Sequence, residues 1–580
     1  MATNQSPKSN QEDKLMLALR QIRGYFFYAV VFSASINILM LTPIIYMLQV
    51  YDRVVSSGSM STLGMLTILM IVLLAAAGGF EWVRSRLLIA ANVRLENSLR
   101  DAVSIAASKH TLMTGNPSGS GQAMSDLLAL RQFITGNGIF AIMDAPWAPI
   151  YIAIMFLFHP LFGIAALICA VIMIILAIVT QKSTSSKLLE ANGLTNKANI
   201  SFQNSLRNSE VIQGMGMGAN IRRQNDKLYD EAGNEQAIAS TIAGRLAAIS
   251  KSFRLISQSF LLGIGAYLAV NQQITPGMMI AGSLLLGRAL APIDLMVASW
   301  KGFIEAKNQF ARLKALLNAF PEENERMALP APTGALSIES LIVTPPGSSI
   351  ASVKGVAFQL RAGESMGVIG PSAAGKTSLV RAILGVWPVR AGTVRLDGAE
   401  INQWDRDHLG PHIGYLPQDI ELFDGTIAAN ICRFSNENSD KIIQASKSAG
   451  IHEMILSLPN GYDTIINANG GALSAGQRQR LGLARAIYDE PKLIILDEPN
   501  SNLDDQGERD LLSTLNHIKG SGRTIIVVTH RTSILSLVDK LLLMKDGVVL
   551  HFGEKNDVLQ AMNANKSKVT KLPNKMEGSS

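Results

Sequence analysis

Six stretches of about 20 mostly apolar residues crowd into roughly the first 300 positions of this chain, and nothing else in it restricts the fold so strongly. They run over Tyr25–Val50, Thr62–Phe80, Gly138–Phe158, Leu161–Thr180, Phe253–Val270 and Gly277–Ala298. Hydrocarbon offers no partner to a bare N–H or C=O, so a chain inside it must satisfy its own backbone, and continuous apolar runs of this length do so as helices. The first stretch is too long for a signal-peptide core and lacks a small-residue cleavage site, so it reads as a retained span. Tyr25, Trp82, Trp147 and Trp300 lie near stretch ends, where amphipathic rings settle at the interface.

Six spans return both termini to one side. The two long connections, Val83–Asn137 and Gln181–Ser252, carry Arg84, Arg86, Arg94, Arg100, Lys182, Lys187, Arg222 and Arg223, whereas the short ones carry only Arg53. Positive charge stays inside, which puts the termini and the long connections in the cytoplasm. Those connections are polar yet helix-patterned, so the spanning helices are expected to extend well past the bilayer. Much of the net charge of +7 lies in span flanks and in a Lys-bearing tail after Asn563, which points to a membrane and not to nucleic acid. The two cysteines, Cys169 and Cys432, fall in different halves and fit a reducing compartment without a disulfide.

Ionisable groups inside spans are costly and mark function by default. Arg288 falls near the middle of the last span, with Asp294 six residues on. The two read as a polar wall of a transport path, or else Arg288 pairs internally or snorkels in a differently seated helix. Asp144, in "DAPWAP", lies near a helix end and reads as structural; Asn37 has no assignment.

After the Pro-rich "RMALPAPTGA" (Arg326–Ala335), which reads as a linker, the pattern turns α/β. The apolar strand "SMGVIG" feeds "GPSAAGKT" and then the helical "SLVRAILGVW". Strand, Gly-rich loop and helix in that order make a phosphate loop: backbone N–H groups at the helix start face phosphates, Lys376 reaches the outer ones, and the Thr377 hydroxyl can ligate Mg²⁺. "KLIILDEP" is a second buried strand, ending in Asp497, which can hold Mg²⁺, and Glu498, placed to polarise an attacking water. "TIIVVTH" ends a third strand in His530 at the same sheet edge, suited to a γ-phosphate contact, and "GYLPQD" offers Gln418 by a similar argument. In "DRDHLGPH", His408 and His412 stand near Asp405 and Asp407; a solvated turn is preferred to a metal site.

"LSAGQRQR" (Leu473–Arg480) is a second anion-gripping helix start, about a hundred residues from the first. One copy of each device per chain suits a dimer in which the Ser474 hydroxyl and the Gly476 N–H of one chain close over phosphates held by the other, making two composite sites by two-fold symmetry.

In order, these residues resemble the ATP-binding cassette superfamily. The resemblance assigns ATP binding to Gly370, Pro371, Ser372, Ala373, Ala374, Gly375, Lys376, Thr377 and Ser378 of the Walker A loop, Gln418 of the Q-loop, Ser474, Gly476 and Gln477 of the signature, and Asp504 of the D-loop (Ser501–Asp504). It assigns catalysis to Glu498 and His530, and Mg²⁺ binding to Thr377, Gln418 and Asp497. Six preceding spans look like the exporter half-transporter plan, with coupling helices expected near Ala106–Asn116 and Glu210–Gly218. "PIIYMLQVYDRVV", "GPSAAGKTSLVRAILGVW" and "LDEPNSNLD" look like type I secretion ATPases that export proteases, lipases or haem-scavenging proteins from Gram-negative bacteria. The short segment ahead of the first span leaves no room for the peptidase-like domain of toxin exporters, in keeping with that branch.

The implied fold is an α-helical six-span transmembrane domain followed by an α/β P-loop ATP-binding cassette. Its expected division is a cytoplasmic segment 1–24, a transmembrane domain 25–310, a linker 311–335, the cassette 336–563 and a basic tail 564–580. The implied activity is ATP-driven protein export by a homodimer in the inner membrane, joined by a membrane fusion protein and an outer-membrane tunnel. A lipid or drug exporter and a nucleotide-gated channel are the alternatives. Departures from the family pattern are Ala475 for Gly, Asn500 and Asn502 for Thr and Ala, and the absence of an aromatic adenine platform in Ile338–Ala357, where Thr344, Pro345 and Pro346 stand.

Overall fold

The structure is a computed structural model and describes residues 14–115, 117–321, 329–467 and 473–569. Residues 1–13 of the expected N-terminal segment, Asn116 of the first expected coupling helix, 322–328 of the linker region and 570–580 of the tail lie outside the described residues. The chain divides into two compact units, 1–111 with 116–322, and 112–115 with 323–580.

The first unit is helical: α1 (Lys14–Leu39), α2 (Thr42–Gln49), α3 (Val55–Ser57), α4 (Met60–Thr114), α5 (Pro117–Ile134), α6 (Asn137–Asp144), α7 (Ala148–Phe158), α8 (Pro160–Arg207), α9 (Ser209–Gly214), α10 (Gly218–Val270) and α11 (Pro276–Ala319). Six of its helical segments are long and apolar enough to cross a membrane. At 55, 48 and 53 residues, α4, α8 and α10 are roughly 70–80 Å long, more than twice the hydrocarbon thickness, so they extend past the bilayer as expected. Local signals start them. Pro160 and Pro276 open α8 and α11 where no N–H is missed, and the Thr275 hydroxyl accepts from Met278 N at 3.2 Å. Asp52, in a π-helical turn, adds a cap from another loop by accepting from Thr275 Oγ1 at 2.6 Å and Gly277 N at 2.9 Å.

A polar network is buried within the first unit. Arg84 of α4 is 4% exposed, although the sequence counts it only as a loop charge. Its guanidinium donates to Ser33 Oγ at 3.0 Å and to Asp144 Oδ1 at 3.3 Å. Asn37 Nδ2 donates to the same Asp144 oxygen at 2.9 Å, and the Tyr151 hydroxyl donates to Asn37 Oδ1 at 2.9 Å. The structural reading of Asp144 therefore has its partners, and Asn37 has an assignment: it joins α1 to α6 and α7.

Three expectations change. The helix α11 runs to Ala319, so the first part of the 311–335 linker is helical. Leu313 and Leu317 continue the buried stripe of Ala306, and Arg312 forks onto the buried Asp126 at 2.7 and 2.6 Å. The first coupling helix is not a separate element, because α4 is unbroken to Thr114 and ends only at Gly115 (φ 68°), whereas α9 overlaps the second expected position. The basic tail is helical through Val569 as the end of α20 (Lys555–Val569).

Before α20, the second unit contains β1 (Leu336–Val343), β2 (Val353–Leu360), β3 (Ser365–Ile369), α12 (Lys376–Ile383), β4 (Val389–Leu396), β5 (Ala399–Glu400), α13 (Arg406–Leu409), β6 (Ile413–Leu416), β7 (Gly425–Thr426), α14 (Ile427–Ile431), α15 (Ser439–Ser448), α16 (His452–Leu456), β8 (Ile465–Ile466), α17 (Ala475–Ile487), β9 (Leu493–Asp497), α18 (Asp505–Gly520), β10 (Thr524–Val528), α19 (Thr532–Leu535), β11 (Lys540–Lys545) and β12 (Val548–Glu554). The central sheet has the order β12-β11-β3-β10-β9-β6 and is parallel except for β12. Every residue of β3, β9 and β10 is buried, as strands covered on both faces require. A second sheet, β2-β1-β4-β5, is antiparallel.

The Arg84–Asp144 pair yields a stability prediction. Asp144→Leu strands a guanidinium whose side chain is 5% exposed and should cost about 3 kcal/mol, the low end for a broken buried pair because Asp144 itself keeps 25% exposure. Adding Arg84→Met should recover most of that loss. Thermal unfolding in detergent reads both values, and a double variant as unstable as the sum of the singles would contradict the pairing.

Candidate active site

Parallel strands that end at one sheet edge bring distant residues together. Strand β3 delivers Gly370–Thr377, β9 delivers Asp497 and Glu498, β10 leads to His530, and β6 leads to Gln418. The loop after β3 turns so tightly that Gly375 takes φ 92°, and a Cβ there would lie 2.2 Å from Ser352 O. Ala373 also takes a positive φ, 65°. Helix α12 then starts at Lys376 with its first N–H groups facing the loop.

Lys376 is 7% exposed. Its ammonium donates to Gly370 O at 2.7 Å and Pro371 O at 3.0 Å, and lies 3.2 Å from His530 Nε2. Burial lowers its pKa, while the Glu498 and Asp497 carboxylates pull the other way. Gln418 Nε2 donates to Glu498 Oε2 at 3.0 Å, and His530 Nε2 stands 3.8 Å from Glu498 Oε1. Lys376, Gln418, Glu498 and His530 thus form one group around the loop. Glu498 takes a left-handed backbone, φ 51°, which turns its carboxylate out of the strand direction.

Asp497 is the group in this site that calls for a cation. It is 1% exposed, and neither carboxylate oxygen has a hydrogen-bond partner. Burial raises its pKa, opposed by the nearby Thr377 hydroxyl. A desolvated carboxylate beside a hydroxyl at the foot of a phosphate loop fits a divalent ion bound with phosphate.

The remaining sequence-assigned residues form a second group. Ser474 caps α17 by accepting from Gln477 N at 3.2 Å, and Gln477 Oε1 accepts from Ser474 N at 2.8 Å, a capping box that uses the Gln477 side chain locally. The N–H groups of Ala475 and Gly476 are left at the helix start, where an anion is favoured. Asp504 caps α18 from Gly507 N at 2.8 Å and accepts from Arg480 at 3.1 Å; the Gly507 bond and Arg480 hold its carboxyl below the usual range. Among the described residues, no hydrogen bond joins this group to the phosphate loop of its own chain.

Sequence reasoning missed Gln479, which is 2% exposed and bonded to the Glu498–Asn502 segment. The available signal was a polar residue four positions before Leu483 on the buried face of α17. It also placed Asp294 with Arg288. The structure instead pairs Asp294 with Arg254 of α10 at 2.7 Å, with Ser250 donating at 3.0 Å. Six helical residues rotate a side chain to a face roughly 120° away, and Asp294 is engaged there by α10. Arg288 is exposed and has no hydrogen bond or ion pair among the described residues. His408 pairs with Asp405 at 2.9 Å, and no metal-binding cluster forms there among the described residues.

The ABC transporter family profile matches residues 353–501, and that of the ABC transporter transmembrane region matches residues 26–291. The chain is 45% identical over 543 residues to the type I secretion system ATP-binding protein PrsD of Rhizobium meliloti, covering 93% of each chain. It is 26% identical to the leukotoxin translocation ATP-binding protein LktB of Mannheimia haemolytica, covering 94% of this chain and 78% of the relative. Its fold is that of a bacterial Atm1-family ABC exporter solved with ATP bound, at 20% identity and a TM-score of 0.78, covering 96% and 99% of the two chains.

Because the folded pKa of Asp497 is raised, ionising that group opposes folding above the ordinary carboxylate range. Asp497→Asn should therefore raise the thermal midpoint of the nucleotide-free protein at neutral pH, with the gain shrinking as the pH falls and the native carboxyl protonates. The same variant should lose the stabilisation that Mg²⁺ and ATP give the native chain. Differential scanning fluorimetry reads both effects, and an unchanged response to Mg²⁺ and ATP would remove Asp497 from the metal site.

Proposed function

We propose, because this chain belongs to the ABC exporter family of type I secretion ATP-binding proteins, that it uses ATP to move a protein of the protease, lipase or haem-scavenger kind out of a Gram-negative cell. It is a multi-pass membrane protein with a nucleotide-binding ATPase unit. The observation that carries the reading is the meeting of Lys376, Gln418, Glu498 and His530 around the phosphate loop, in a chain 45% identical to a type I secretion ATP-binding protein. Two named relatives are secretion or translocation ATP-binding proteins, which favours protein cargo over lipid or drug. A carboxylate retained at Glu498 favours turnover over a gated channel.

The residues divide the work as follows. Lys376 releases the Gly370 and Pro371 carbonyls and turns to the outer phosphates. The N–H groups from Gly370 to Ser378 cradle the chain of phosphates. Thr377, Gln418 and Asp497 would hold Mg²⁺, which would supply charge neutralisation at the phosphate oxygens. Glu498 accepts the proton of the attacking water, held in place by Gln418, and His530 contacts the γ-phosphate. Ser474, Gly476 and the capped start of α17 complete the site from a second copy of the chain, with Asp504 fixing that helix from behind.

The first unit is compatible with a homodimer. The apolar window of the α4 span is only 6% buried, with Met65 76% and Ile68 64% exposed, so lipid or a second copy must cover it. The charge bias supports cytoplasmic termini, and the helical spans together with the family resemblance support the inner membrane. A membrane fusion protein and an outer-membrane tunnel complete the route by family resemblance. Arg288 lines the path: an unpaired guanidinium in a span needs water, a partner or cargo. Asp294, bound to Arg254, does not.

Glu498→Gln should still bind ATP and accumulate a closed dimer, with hydrolysis lowered by about 10²-fold or more, the scale of a lost general base. Steady-state phosphate release from the purified variant tests this, and a rate near the native one would remove Glu498 from its role. Arg288→Leu should leave basal hydrolysis intact and reduce secretion, while Arg288→Cys should react with a water-soluble thiol reagent. A Cys shielded in every nucleotide state, together with normal secretion by Arg288→Leu, would make Arg288 structural.

A further inference from the structure

Glu498 holds its left-handed backbone among three anchors. Its N–H donates to Val528 O at 2.9 Å, which ties it to the sheet. Its carbonyl accepts from Ser501 N at 3.2 Å within its own turn, and from Gln479 Nε2 at 3.3 Å, which ties it to α17. Gln479 is 2% exposed, and its amide has further partners: Nε2 also donates to Ser501 Oγ at 3.4 Å, and Oε1 accepts from Asn502 N at 2.9 Å. The contact continues on either side. A Cβ on Gly476 would stand 2.9 Å from Asn502 O, so the first turn of α17 meets the loop backbone to backbone. Arg480 reaches Asp504 at 3.1 Å with one nitrogen and Gly450 O at 3.1 Å with the other. Among the described residues, the start of α17 thus meets 498–504 at Gly476, Gln479 and Arg480, and of these three Gln479 is the one bonded to the catalytic residue.

The consequence rests on the reading that the start of α17 closes on a nucleotide held by the other chain. In that arrangement α17 belongs to one ATP site and Glu498 of the same chain to the other. We propose that Gln479 is a positioning residue that couples the two ATP sites: when the partner's nucleotide docks on the start of α17, Gln479 transmits the displacement to the Glu498 carbonyl and sets the carboxylate of its own site. The link has the chemistry that such coupling requires. A backbone held in a sparsely populated region takes its orientation from outside constraints, and a fully bonded buried amide moves with its helix instead of yielding. An apolar side chain of the same size would fill the space without gripping either the carbonyl or Asn502.

The test uses the full-length dimer in detergent or nanodiscs. The native protein should hydrolyse ATP with a Hill coefficient above 1 and up to about 2, the number of coupled sites. Gln479→Glu keeps an acceptor for Asn502 N but sets an oxygen against the Glu498 carbonyl; Gln479→Met removes both bonds at similar volume. Both variants should bind a fluorescent ATP analogue as tightly as the native dimer without Mg²⁺. Both should show a Hill coefficient near 1 and a kcat lowered by about tenfold, with little change in KM, as a small misplacement of a reacting group does. A native coefficient of 1, or either folded variant retaining the native coefficient and kcat, overturns the coupling. Ser474→Arg run alongside separates the two ideas. If it hydrolyses ATP normally, the shared-site reading itself fails; if it is inactive while Gln479→Glu and Gln479→Met behave as native, only the role of Gln479 fails.

Discussion

Asp497 ends β9 with its carboxylate 1% exposed and without a hydrogen-bond partner, and such a charge is held against a desolvation penalty of several kcal/mol until a cation joins it. The rest of the site is arranged around that group. Lys376, itself desolvated, is folded onto the carbonyls of its own loop, close enough for the two carboxylates to oppose the loss of its charge. Both charges are poorly compensated by the protein alone and well compensated by a phosphate chain with its metal ion. Part of the preference for nucleotide thus lies in these two desolvated charges. Five parallel strands make this possible, since only a sheet whose strands all leave by one edge brings residues 376, 418, 498 and 530 to a single point.

The membrane-spanning unit meets the same cost differently. Arg84 is compensated on the spot by Asp144 and Ser33, with Asn37 and Tyr151 completing the polar shell, and this fixes the mutual register of α1, α4, α6 and α7. Arg254 and Asp294 do likewise for α10 and α11. Against these paired charges Arg288 stands apart, exposed and unpaired among the described residues. A charge left without an internal partner, in a chain that pairs its neighbours, is the mark of a surface that another molecule or water covers.

Much of this was legible in the sequence because the signals are local. A Gly-rich loop between strand and helix, an apolar run closed by Asp-Glu, and six long apolar stretches each carry their own physics, and the helices, strands and sheet edge follow them. What was not legible depends on contacts between distant positions. Arg84 looks like any loop arginine until α4 is seen to run on unbroken beside α1. Gln479 looks like one more polar residue of a basic helix start until its amide is found on the Glu498 carbonyl. Asp294 looks like a companion of Arg288 until Arg254 of α10 is found bonded to it. The first coupling helix failed because only a φ of 68° at Gly115, and no composition change, ends α4. The missing adenine aromatic remains in the structure: Thr344, Pro345 and Pro346 follow β1 in the hairpin loop whose Ser352 carbonyl packs against Gly375.

The central claim is that the two anion-gripping devices of one chain serve different nucleotides. Mixed dimers test it most directly. One chain carries Ser474→Arg, the other Lys376→Ala, and the number of ATP molecules occluded per dimer is counted. If the start of α17 serves the partner's nucleotide, both lesions fall on the same site and one ATP is occluded per mixed dimer. If each chain completes its own site, both sites are damaged, no ATP is occluded, and the account is contradicted.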